Sequence, residues 1–268
     1  MARRPPLTLP PGGFNDIAMC RAGPMIFNRH DRFIGASLAK YGEWSAGEIE
    51  LLRQVVRPGF VVVEVGANIG AHTVELSRLV GPQGRVLAFE PQRLVFQTLC
   101  ANLALNSCAN VAAFEIAVGA EAGEIDVPFL PPDRPANFGG LSLQAGPPQS
   151  GSERVALRPL DALGLPACQL IKVDVEGMEV EVLRGAERKV AADRPLLYAE
   201  NDRKERSAEL LALLRAWNYR LFWHLPPLFS PANYAGDPDN IFPGIASHNL
   251  LCLPAERGLA VKGLREVA

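Results

Sequence analysis

The segment Val61–Gly70 limits the possible folds of this chain more than any other part of its sequence. It reads VVVEVGANIG, a β-branched apolar run that contains one acid and ends in a turn with two glycines. Such a run predicts a strand buried on both faces, as the strands of a parallel sheet are. Gly66 permits a sharp turn, and Gly70 lets a helix begin close to the sheet. We therefore predict a strand, a tight turn and a helix of an open α/β sheet.

The same turn indicates the kind of cofactor. A dinucleotide-binding turn requires a middle glycine beside the pyrophosphate, where this chain has Asn68, and the Gly-Lys-Ser/Thr ending of a phosphate-binding loop is missing. S-adenosylmethionine has no phosphate and needs an acceptor for its ammonium, donors for its carboxylate and an acid for its ribose. Glu64, the Gly66–Gly70 turn and Glu90, which ends the next apolar run, supply these groups. The alternative is a plain βαβ unit with an incidental glycine turn.

Composition favours an enzyme domain without nucleic-acid or membrane contacts. The chain has 268 residues, of which 48% are hydrophobic, and its formal net charge is −2 without a long run of Lys or Arg. We therefore expect no nucleic-acid partner. No apolar run approaches the roughly 20 residues of a membrane span, so we expect a cytoplasmic protein. The five cysteines lack Cys-x-x-Cys spacing and predict neither a disulfide framework nor a zinc site.

Apolar strands alternate with helical patterns along most of the chain, which predicts an α/β fold with a mostly parallel central sheet and helices on both faces. Residues 1–57 form a leader with a helix over 45–56 that covers the cofactor, and its Ser45 and Glu48 predict a capping box. Residues 58–268 form the main domain, with a Pro/Gly-rich loop at 130–151 and a substrate-side segment at 224–250. The predicted elements of the main domain are strands over 61–65, 86–90, 111–117, 170–175, 196–200 and 219–223, and helices over 69–80, 94–105, 179–190 and 207–217.

A second acidic segment accompanies the predicted strand over 170–175. It reads LIKVDVEGMEVEVLRG and places Asp174 and Glu176 at the carboxyl edge of the sheet, where open α/β sheets bind their ligands. A carboxylate at the end of a buried strand is costly unless it meets a cation or donors, and a sulfonium supplies the charge. We therefore expect Asp174 to contact the cofactor. Glu176 either binds substrate or caps the following helix, and the helix dipole suffices to explain Glu179 and Glu181.

Several stretches of the chain resemble the FkbM family of S-adenosylmethionine-dependent methyltransferases. They are Glu64–Gly70, Phe89–Pro91 and Ile171–Gly177 with Val182–Gly185. The resemblance implies a Rossmann-like class I methyltransferase fold and methylation of oxygen, often on sugar hydroxyls of glycans or glycosylated natural products. We also expect Glu43 and Pro91, which lie in or beside the similar region, to bind the cofactor. His72 departs from the aromatic residue that the family more often has.

Five side chains at the carboxyl edge of the sheet are candidates for a catalytic base, which methyl transfer to a weakly acidic hydroxyl needs. They are Asp174, His72, His224, Glu176 and Glu200, of which we predict the first three to be catalytic. His72 lies in the first turn of the predicted cofactor helix, where a solvent-facing helix residue is the alternative interpretation. His224 follows a predicted strand, and the alternative there is a histidine at an interface.

The C-terminal segment combines aromatic and amide side chains, which suits a small-molecule or glycan acceptor. The candidate substrate contacts are Asn233, Tyr234, Asn249, Glu176 and, in the Pro/Gly-rich loop, Asn137. The alternative is an ordinary proline-rich loop whose asparagines form turns. The sequence Asn137–Gly140 also gives the loop at 130–151 a hinge with which it could close over substrate.

Other activities are alternatives to methylation of a sugar hydroxyl. A dehydrogenase is disfavoured by Asn68. A non-catalytic S-adenosylmethionine-binding module, or transfer to a nitrogen or a non-sugar acceptor, is compatible with the sequence. Asp174, with Glu200, Asn201 and Asp202, supplies oxygen ligands that suit a divalent cation, but charged residues after a strand more often cap helices, and we predict no metal.

Overall fold

The described residues form a central β-sheet between two layers of helices, with two smaller sheets beside it. The computed structural model describes Leu9 and residues 12–143, 151–259 and 261–267. The strands in chain order are β1 (Asn15–Cys20), β2 (Gly23–Asn28), β3 (Val61–Val65), β4 (Arg85–Phe89), β5 (Val111–Phe114), β6 (Ala117–Val118), β7 (Gly123–Pro128), β8 (Ser152–Arg158), β9 (Leu170–Val173), β10 (Leu196–Glu200), β11 (Tyr219–His224), β12 (Asn249–Pro254) and β13 (Arg265–Glu266). The helices are α1 (Ile34–Tyr41), α2 (Ala46–Val55), α3 (Ala71–Val80), α4 (Arg93–Leu105), α5 (Glu179–Arg184), α6 (Glu187–Asp193) and α7 (Lys204–Ala216). Within these described ranges, none of the helices has both the length and the apolarity needed to cross a membrane.

The central sheet has the strand order β13-β11-β12-β10-β9-β3-β4-β5 in the described part of the chain. The strands from β10 to β5 run parallel to one another, and β12 pairs antiparallel with both β10 and β11. The predicted α/β architecture with a mostly parallel sheet is therefore confirmed.

The hydrophobic core lies on both faces of the central strands. Successive side chains of a strand point to opposite faces, so Val63 and Val65 pack against α5–α7 whereas Val62 and Glu64 face the layer that contains α2 and α3. Val62, Val63 and Ile171 are fully shielded from solvent. Burial of each such side chain contributes about 1.5–3 kcal/mol. This packing fixes the carboxyl ends of β3, β4, β9 and β10 in one row.

The residues before β3 pack against α4 and the turn that follows β3. β1 and β2 form an antiparallel hairpin that the sequence analysis did not predict. Asn102 of α4 is fully buried, and its Oδ1 accepts a hydrogen bond from the Ile26 N–H at 2.7 Å. Its Nδ2 donates to the carbonyl oxygens of Ile26 at 2.9 Å and of Ile69 at 2.8 Å. One amide thus joins the hairpin to the turn, while the division of the chain after residue 57 stays a prediction.

The start of α2 differs from the predicted capping box. Ser45 has a φ of 40° and its side chain does not cap a backbone N–H group. Instead, the Ser45 hydroxyl donates to Oε1 of Glu48 at 2.8 Å, and the Ser247 hydroxyl donates to the same oxygen at 2.7 Å. The capping-box prediction is wrong because a tertiary contact with a distant segment holds the Glu48 carboxylate.

Two predicted elements of the main domain are divided in the structure. The helix predicted over 179–190 separates into α5 and α6 at Gly185, where an added Cβ would lie 2.0 Å from the carbonyl oxygen of Gly119. The strand predicted over 111–117 ends at Phe114, because Ala117 and Val118 pair with β8 instead. The sequence analysis also missed β7 and β8, which form a three-stranded sheet with β6. It missed β12, whose first residues fall in the segment 224–250.

The first half of the predicted loop at 130–151 packs against the main domain. Phe138 and Leu143 are buried, and the Gln92 side chain donates a hydrogen bond to the Phe138 carbonyl at 2.9 Å. The Asn137 side chain accepts from the Gly140 N–H at 2.9 Å. Residues 144–150 of this loop lie outside the described residues.

Candidate functional site

A cleft of about 400 Å³ opens beyond the carboxyl ends of β3, β4, β9 and β10. Residues that follow parallel strands meet at this edge of a sheet, which brings together side chains that are distant in sequence. The predicted site residues that line the cleft are Glu64, Gly66, Asn68, His72, Glu90, Pro91, Asn137, Asp174, Glu176 and Asn249. Other charged or polar residues that line it are Glu48, Gln92, Lys172, Glu200, Asp202, Arg203 and Ser247. Among this second group, the sequence had pointed to Glu200 and Asp202.

The turn after β3 is held by the backbone of β4. The N–H groups of Gly66 and Ala67 both donate to the carbonyl oxygen of Phe89 at 3.0 Å. Gly66 has a φ of 84°, and an added Cβ would lie 1.8 Å from the carbonyl oxygen of Asp174. Only glycine fits at this position. Gly70 is the N-cap of α3 with a φ of 86°, and it does not itself line the cleft.

Glu90 is oriented in the cleft by two backbone donors. The Asn68 N–H donates to Oε2 at 3.0 Å, and the Gln92 N–H donates to Oε1 at 2.9 Å. Burial raises the pKa of Glu90 to about 7, although both N–H groups act to lower it. Each oxygen keeps a second lone pair, so the ionised carboxylate can accept hydrogen bonds from two hydroxyl groups of a ligand such as ribose.

Glu64 presents an acceptor without a partner. Its Oε2 accepts a hydrogen bond from the Thr73 hydroxyl at 2.7 Å, whereas its Oε1 is buried and has no hydrogen-bond partner. Burial raises the pKa of Glu64 to about 7, although Lys172 acts to lower it. A buried carboxylate oxygen without a donor is costly, and a cationic ligand would satisfy it. With Glu90, this oxygen fits the ammonium and ribose groups of S-adenosylmethionine.

Lys172 is a buried cation between the acids of the cleft. Its side chain is 2% exposed, and its Nζ donates to Oδ2 of Asp174 at 2.9 Å. Burial alone would lower the pKa of Lys172, but the carboxylates of Asp174, Glu64 and Glu48 raise it above the ordinary value, so the ammonium stays charged. The sequence analysis missed this residue, although a lysine inside the buried strand LIKV signals that acids lie nearby.

Glu48 adds a second negative charge on the same side of the sheet. Burial acts to raise the pKa of Glu48, but His72, Lys172 and the hydroxyls of Ser247 and Ser45 lower it overall, so the carboxylate is ionised. No sequence signal distinguished this acid, because its spacing from Ser45 already had an explanation in the predicted capping box.

His72 is buried in the first turn of α3. Its ring makes a hydrogen bond with the backbone of Trp44, and its Nε2 is buried without a partner. Nε2 is therefore the ring nitrogen whose hydrogen-bonding capacity is unused. Burial lowers the pKa of His72, although Glu48 acts to raise it, so the ring is neutral near pH 7. The interpretation as a solvent-facing residue is wrong, whereas a catalytic role stays a prediction.

Four acids crowd together at the ends of β9 and β10. One oxygen from each of Asp174, Glu176 and Glu200 lies within 4.8 Å of the other two. Arg203 forms ion pairs with Glu176 and, at 3.5 Å, with Asp202. Burial and the neighbouring Asp174 raise the pKa of Glu176 to about 7 and the pKa of Glu200 well above its ordinary value. A set of oxygen ligands like this one can hold a divalent cation.

Glu43 and Tyr234 belong to a different surface of the protein. Glu43 forms an ion pair with Arg21 at 2.6 Å and accepts a hydrogen bond from the Tyr234 N–H at 3.0 Å. The Tyr234 ring is exposed and lies near the Arg21 guanidinium. Neither residue lines the cleft. The structure places both residues beside Arg21 of the β1–β2 turn, and the predicted cofactor contact of Glu43 and substrate contact of Tyr234 stay predictions.

His224 and Asn233 also lie outside the cleft. Nδ1 of His224 lies 2.8 Å from the Tyr198 hydroxyl, so this ring nitrogen is engaged in a hydrogen bond. Asn233 is buried, and its side chain donates to the Asp237 carbonyl at 2.7 Å and accepts from the Asp237 N–H at 3.0 Å. Asn233 therefore fits the turn-forming alternative. Asn249 does line the cleft, and its amide donates to the Tyr198 hydroxyl at 2.9 Å.

The sequence matches a protein family over more than half of the chain. Residues 64–221 match the family model described as Methyltransferase FkbM domain. The 31-O-demethyl-FK506 methyltransferase FkbM of Streptomyces tacrolimicus is 31% identical over 257 residues, which cover 84% of this chain and 92% of that protein.

Two other relatives match shorter regions. The methyltransferase sdnD of Sordaria araneosa is 30% identical over 156 residues, which cover 47% of this chain and 60% of that protein. The hexuronic acid methyltransferase AglP of Haloferax volcanii is 29% identical over 144 residues, which cover 51% of this chain and 54% of that protein. The chain thus spans only between 54% and 60% of the lengths of these two relatives.

A solved structure has the same fold. The precorrin-6y C5,15-methyltransferase of Geobacter metallireducens superimposes with a TM-score of 0.50 and 13% sequence identity, covering 77% of this chain and 87% of that chain. At this identity the likeness concerns the fold alone. It confirms the predicted Rossmann-like class I methyltransferase fold.

Proposed function

The chain belongs to the FkbM family of methyltransferases, and we propose that it transfers the methyl group of S-adenosylmethionine to a hydroxyl oxygen of a sugar or a glycosylated metabolite. The family establishes methyl transfer as the class of reaction, whereas the donor and the acceptor are our inference. The observation that carries it is the buried Oε1 of Glu64, which has no partner and lies in the same cleft as Glu90.

The proposed cofactor site consists of β3, the turn after it and the end of β4. Glu64 would accept from the ammonium group, and Glu90 would accept from the ribose hydroxyls. The first turn of α3, where Ala71 lines the cleft, offers backbone N–H donors for the carboxylate. When bound, S-adenosylmethionine supplies an electrophilic methyl group on a sulfonium. Asp174, between this site and β10, would lie at the end of the cofactor that carries the methyl group.

His72 is the proposed catalytic base. Its Nε2 is free, and its ring is neutral because burial lowers its pKa. Asp174 is less suited to this role because Lys172 donates to its carboxylate, and His224 is turned toward Tyr198 outside the cleft. The proton of the acceptor hydroxyl would pass to Nε2 of His72 as the oxygen attacks the methyl group.

The remaining walls of the cleft suit an acceptor rich in hydroxyl groups. Trp44 and Phe33 line it with aromatic rings that offer flat apolar faces, and Asn137, Ser247 and Asn249 can donate and accept hydrogen bonds. The relative from Haloferax volcanii is named for a hexuronic acid, and the relative from Streptomyces tacrolimicus is named for a 31-O position. The second name supports oxygen as the atom methylated, and the first supports a sugar as the acceptor.

Calorimetric titration with S-adenosylmethionine, S-adenosylhomocysteine and NADH tests the cofactor. We expect the two sulfur compounds to bind and NADH not to bind. Methyl transfer is then measured with labelled S-adenosylmethionine and a panel of uronic acids, glycans and glycosylated metabolites. Binding without transfer to any hydroxyl acceptor would favour a non-catalytic cofactor-binding module or a different acceptor atom. No binding to a folded sample would contradict the proposed donor.

The role of Glu90 has its own test. Glu90→Ala removes the proposed acceptor for the ribose, so we expect the affinity for S-adenosylhomocysteine to weaken by about 1–3 kcal/mol. Glu115→Ala is the matched control, because Glu115 follows the neighbouring strand but is exposed and does not line the cleft. Equal affinities of the two variants in calorimetry would refute the assignment of Glu90.

A further inference from the structure

The acids of Asp174, Glu176 and Glu200 form a compact group on two neighbouring strands. Asp174 and Glu176 follow β9, Glu200 ends β10, and these strands are parallel neighbours in the sheet. One oxygen from each residue lies within 4.8 Å of the other two, and all three residues line the cleft. We propose that these three carboxylates bind a hard divalent cation, such as Mg²⁺ or Mn²⁺.

A buried oxygen without a partner points to a ligand at this position. Oε2 of Glu200 is shielded from solvent and has no hydrogen-bond partner. The nearby cations are already engaged, since Lys172 donates to Asp174 and Arg203 pairs with Glu176 and Asp202. An isolated buried carboxylate oxygen is costly, because it has lost its water and gained no donor. A bound cation would restore that interaction.

The chemistry of the ligands selects the type of cation. All three side chains offer oxygen, and hard divalent cations prefer carboxylate and water ligands to imidazole or thiolate. Asp202 adds a fourth acid beside the group, so that four carboxylates meet the two cations Lys172 and Arg203.

The location of the group also indicates the acceptor, and this step rests on the proposed function. The three acids open into the same cleft as Glu90 and His72. Magnesium ions seldom take all their ligands from protein, so a cation here would keep positions for water or substrate. An acceptor with two adjacent oxygens, a vicinal diol or a hydroxy acid, could occupy those positions. The cation would then lower the pKa of the bound hydroxyl before His72 takes its proton.

Metal binding is tested on the full chain after treatment with EDTA and gel filtration. Titration with Mn²⁺, followed by the electron paramagnetic resonance signal of the free ion, should show one site per chain, and Mg²⁺ should compete for it. Glu200→Gln should weaken Mn²⁺ binding at least tenfold. This variant should fold, because the Glu200 side chain has no hydrogen bond to lose in the described structure, and circular dichroism with a thermal scan checks it. Glu205→Gln, an exposed acid on α7, is the matched control and should bind Mn²⁺ like the unaltered protein.

The outcomes separate this proposal from the proposed function. Absence of a stoichiometric Mn²⁺ site, or equal Mn²⁺ affinity in Glu200→Gln and Glu205→Gln, would overturn the metal site. Undiminished methyl transfer in excess EDTA would overturn its role at the acceptor while leaving the methyltransferase proposal intact. A Mn²⁺ site that depends on Glu200 in a protein that binds no S-adenosylmethionine would uphold the cation site and contradict the proposed donor.

Discussion

At the scale of single residues, the charged groups of the cleft differ in how many opposite charges and hydrogen-bond donors surround them. Lys172 is surrounded by acids and stays charged, whereas Oε1 of Glu64 has no donor and Glu90 has only backbone donors. A buried acid whose negative charge is not stabilised by a cation or enough donors has a raised pKa, so it keeps its proton to a higher pH. The protein without ligand is therefore suited to a ligand that brings a positive charge to Glu64 and hydroxyl donors to Glu90.

The raised pKa of Glu64 predicts a pH-dependent affinity for the cofactor. Because this pKa is about 7, the carboxyl group is mostly protonated below pH 7 and must release its proton to accept from an ammonium group. The charged groups that face it are Lys172, Asp174 and Glu48. The affinity for S-adenosylhomocysteine should fall as the pH decreases below 7, by up to about tenfold per pH unit for each proton released.

Calorimetry in buffers of different ionisation enthalpy measures that proton release directly. Glu64→Gln should bind more weakly and show a smaller pH dependence, and the remaining dependence should belong to Glu90, whose pKa is also about 7. The prediction is wrong if Glu64→Gln releases as many protons on binding as the unaltered protein.

Alanine variants of His72 and His224 can be compared to test which histidine is the catalytic base. His72→Ala removes the free Nε2 in the cleft, so kcat should fall by roughly 100-fold or more. The cofactor affinity should change little, because His72 is proposed to act on the acceptor. His224→Ala, which alters a ring outside the cleft, should retain most of the activity. Steady-state kinetics with a labelled methyl donor distinguish the two, and equal kcat values would contradict the role of His72.

At the scale of secondary-structure elements, the cofactor turn depends on the close approach of β3 and β9. The carbonyl of Asp174 occupies the place where a Cβ of residue 66 would lie, at 1.8 Å. The turn is also bonded to the end of β4 through the Phe89 carbonyl. Three strand ends are thus packed backbone against backbone, which brings Glu64, Asp174 and Glu90 into one cleft.

Comparing Gly66→Ala with Gly59→Ala separates the energetic cost of a clash at this contact from the cost of backbone strain. Gly66 and Gly59 have φ values of 84° and 87°, so either alanine is strained by about 1–2 kcal/mol. Only Gly66 meets another atom, whereas nothing lies within 4 Å of a Cβ at Gly59. Gly66→Ala should therefore destabilise the protein by about a further 1–3 kcal/mol. Urea unfolding measures the difference, and equal midpoints would show that the two strand ends can separate without cost.

At the scale of the whole molecule, the N-terminal elements complete the cleft that the parallel strands begin. Trp44 and Glu48, from the segment around α2, line the same cleft as Glu64 and Asp174. The hairpin of β1 and β2 is attached to α4 through Asn102. The N-terminal region therefore contributes charge to the site in addition to covering the sheet.

Asn102→Leu tests how firmly the hairpin is attached. The substitution leaves the N–H and carbonyl of Ile26 and the carbonyl of Ile69 without their partners, which should cost roughly 3 kcal/mol or more. Hydrogen exchange of residues 15–28 should accelerate. Gln97→Leu, on the exposed side of α4, should leave that exchange unchanged. Unaltered protection of the hairpin in Asn102→Leu would show that apolar contacts alone hold it.

The sequence by itself determined the strand, turn and helix around Gly66, the α/β class and the acids Glu64, Glu90 and Asp174. These features are local, since a buried strand, a glycine turn and an acid at a strand end each leave a pattern within a few residues. The family followed from the same stretches and was confirmed by the match over residues 64–221. Three of the strands that patterns missed, β7, β8 and β12, are stabilised by pairing with strands that do not follow directly in the sequence, whereas the missed hairpin of β1 and β2 is local.

Only the tertiary structure decided which of the remaining polar residues share the cleft. Glu48 and Lys172 both reach it because α2 packs against the part of the sheet that contains β9. Glu43 instead pairs with Arg21, and His224 with Tyr198, outside the cleft. These partners are far from one another in sequence, and their pairing leaves no local pattern. Each buried charge needs an opposite charge or a hydrogen-bond partner beside it. Which groups become partners depends on the packed interior, so it is decided only when the chain is folded.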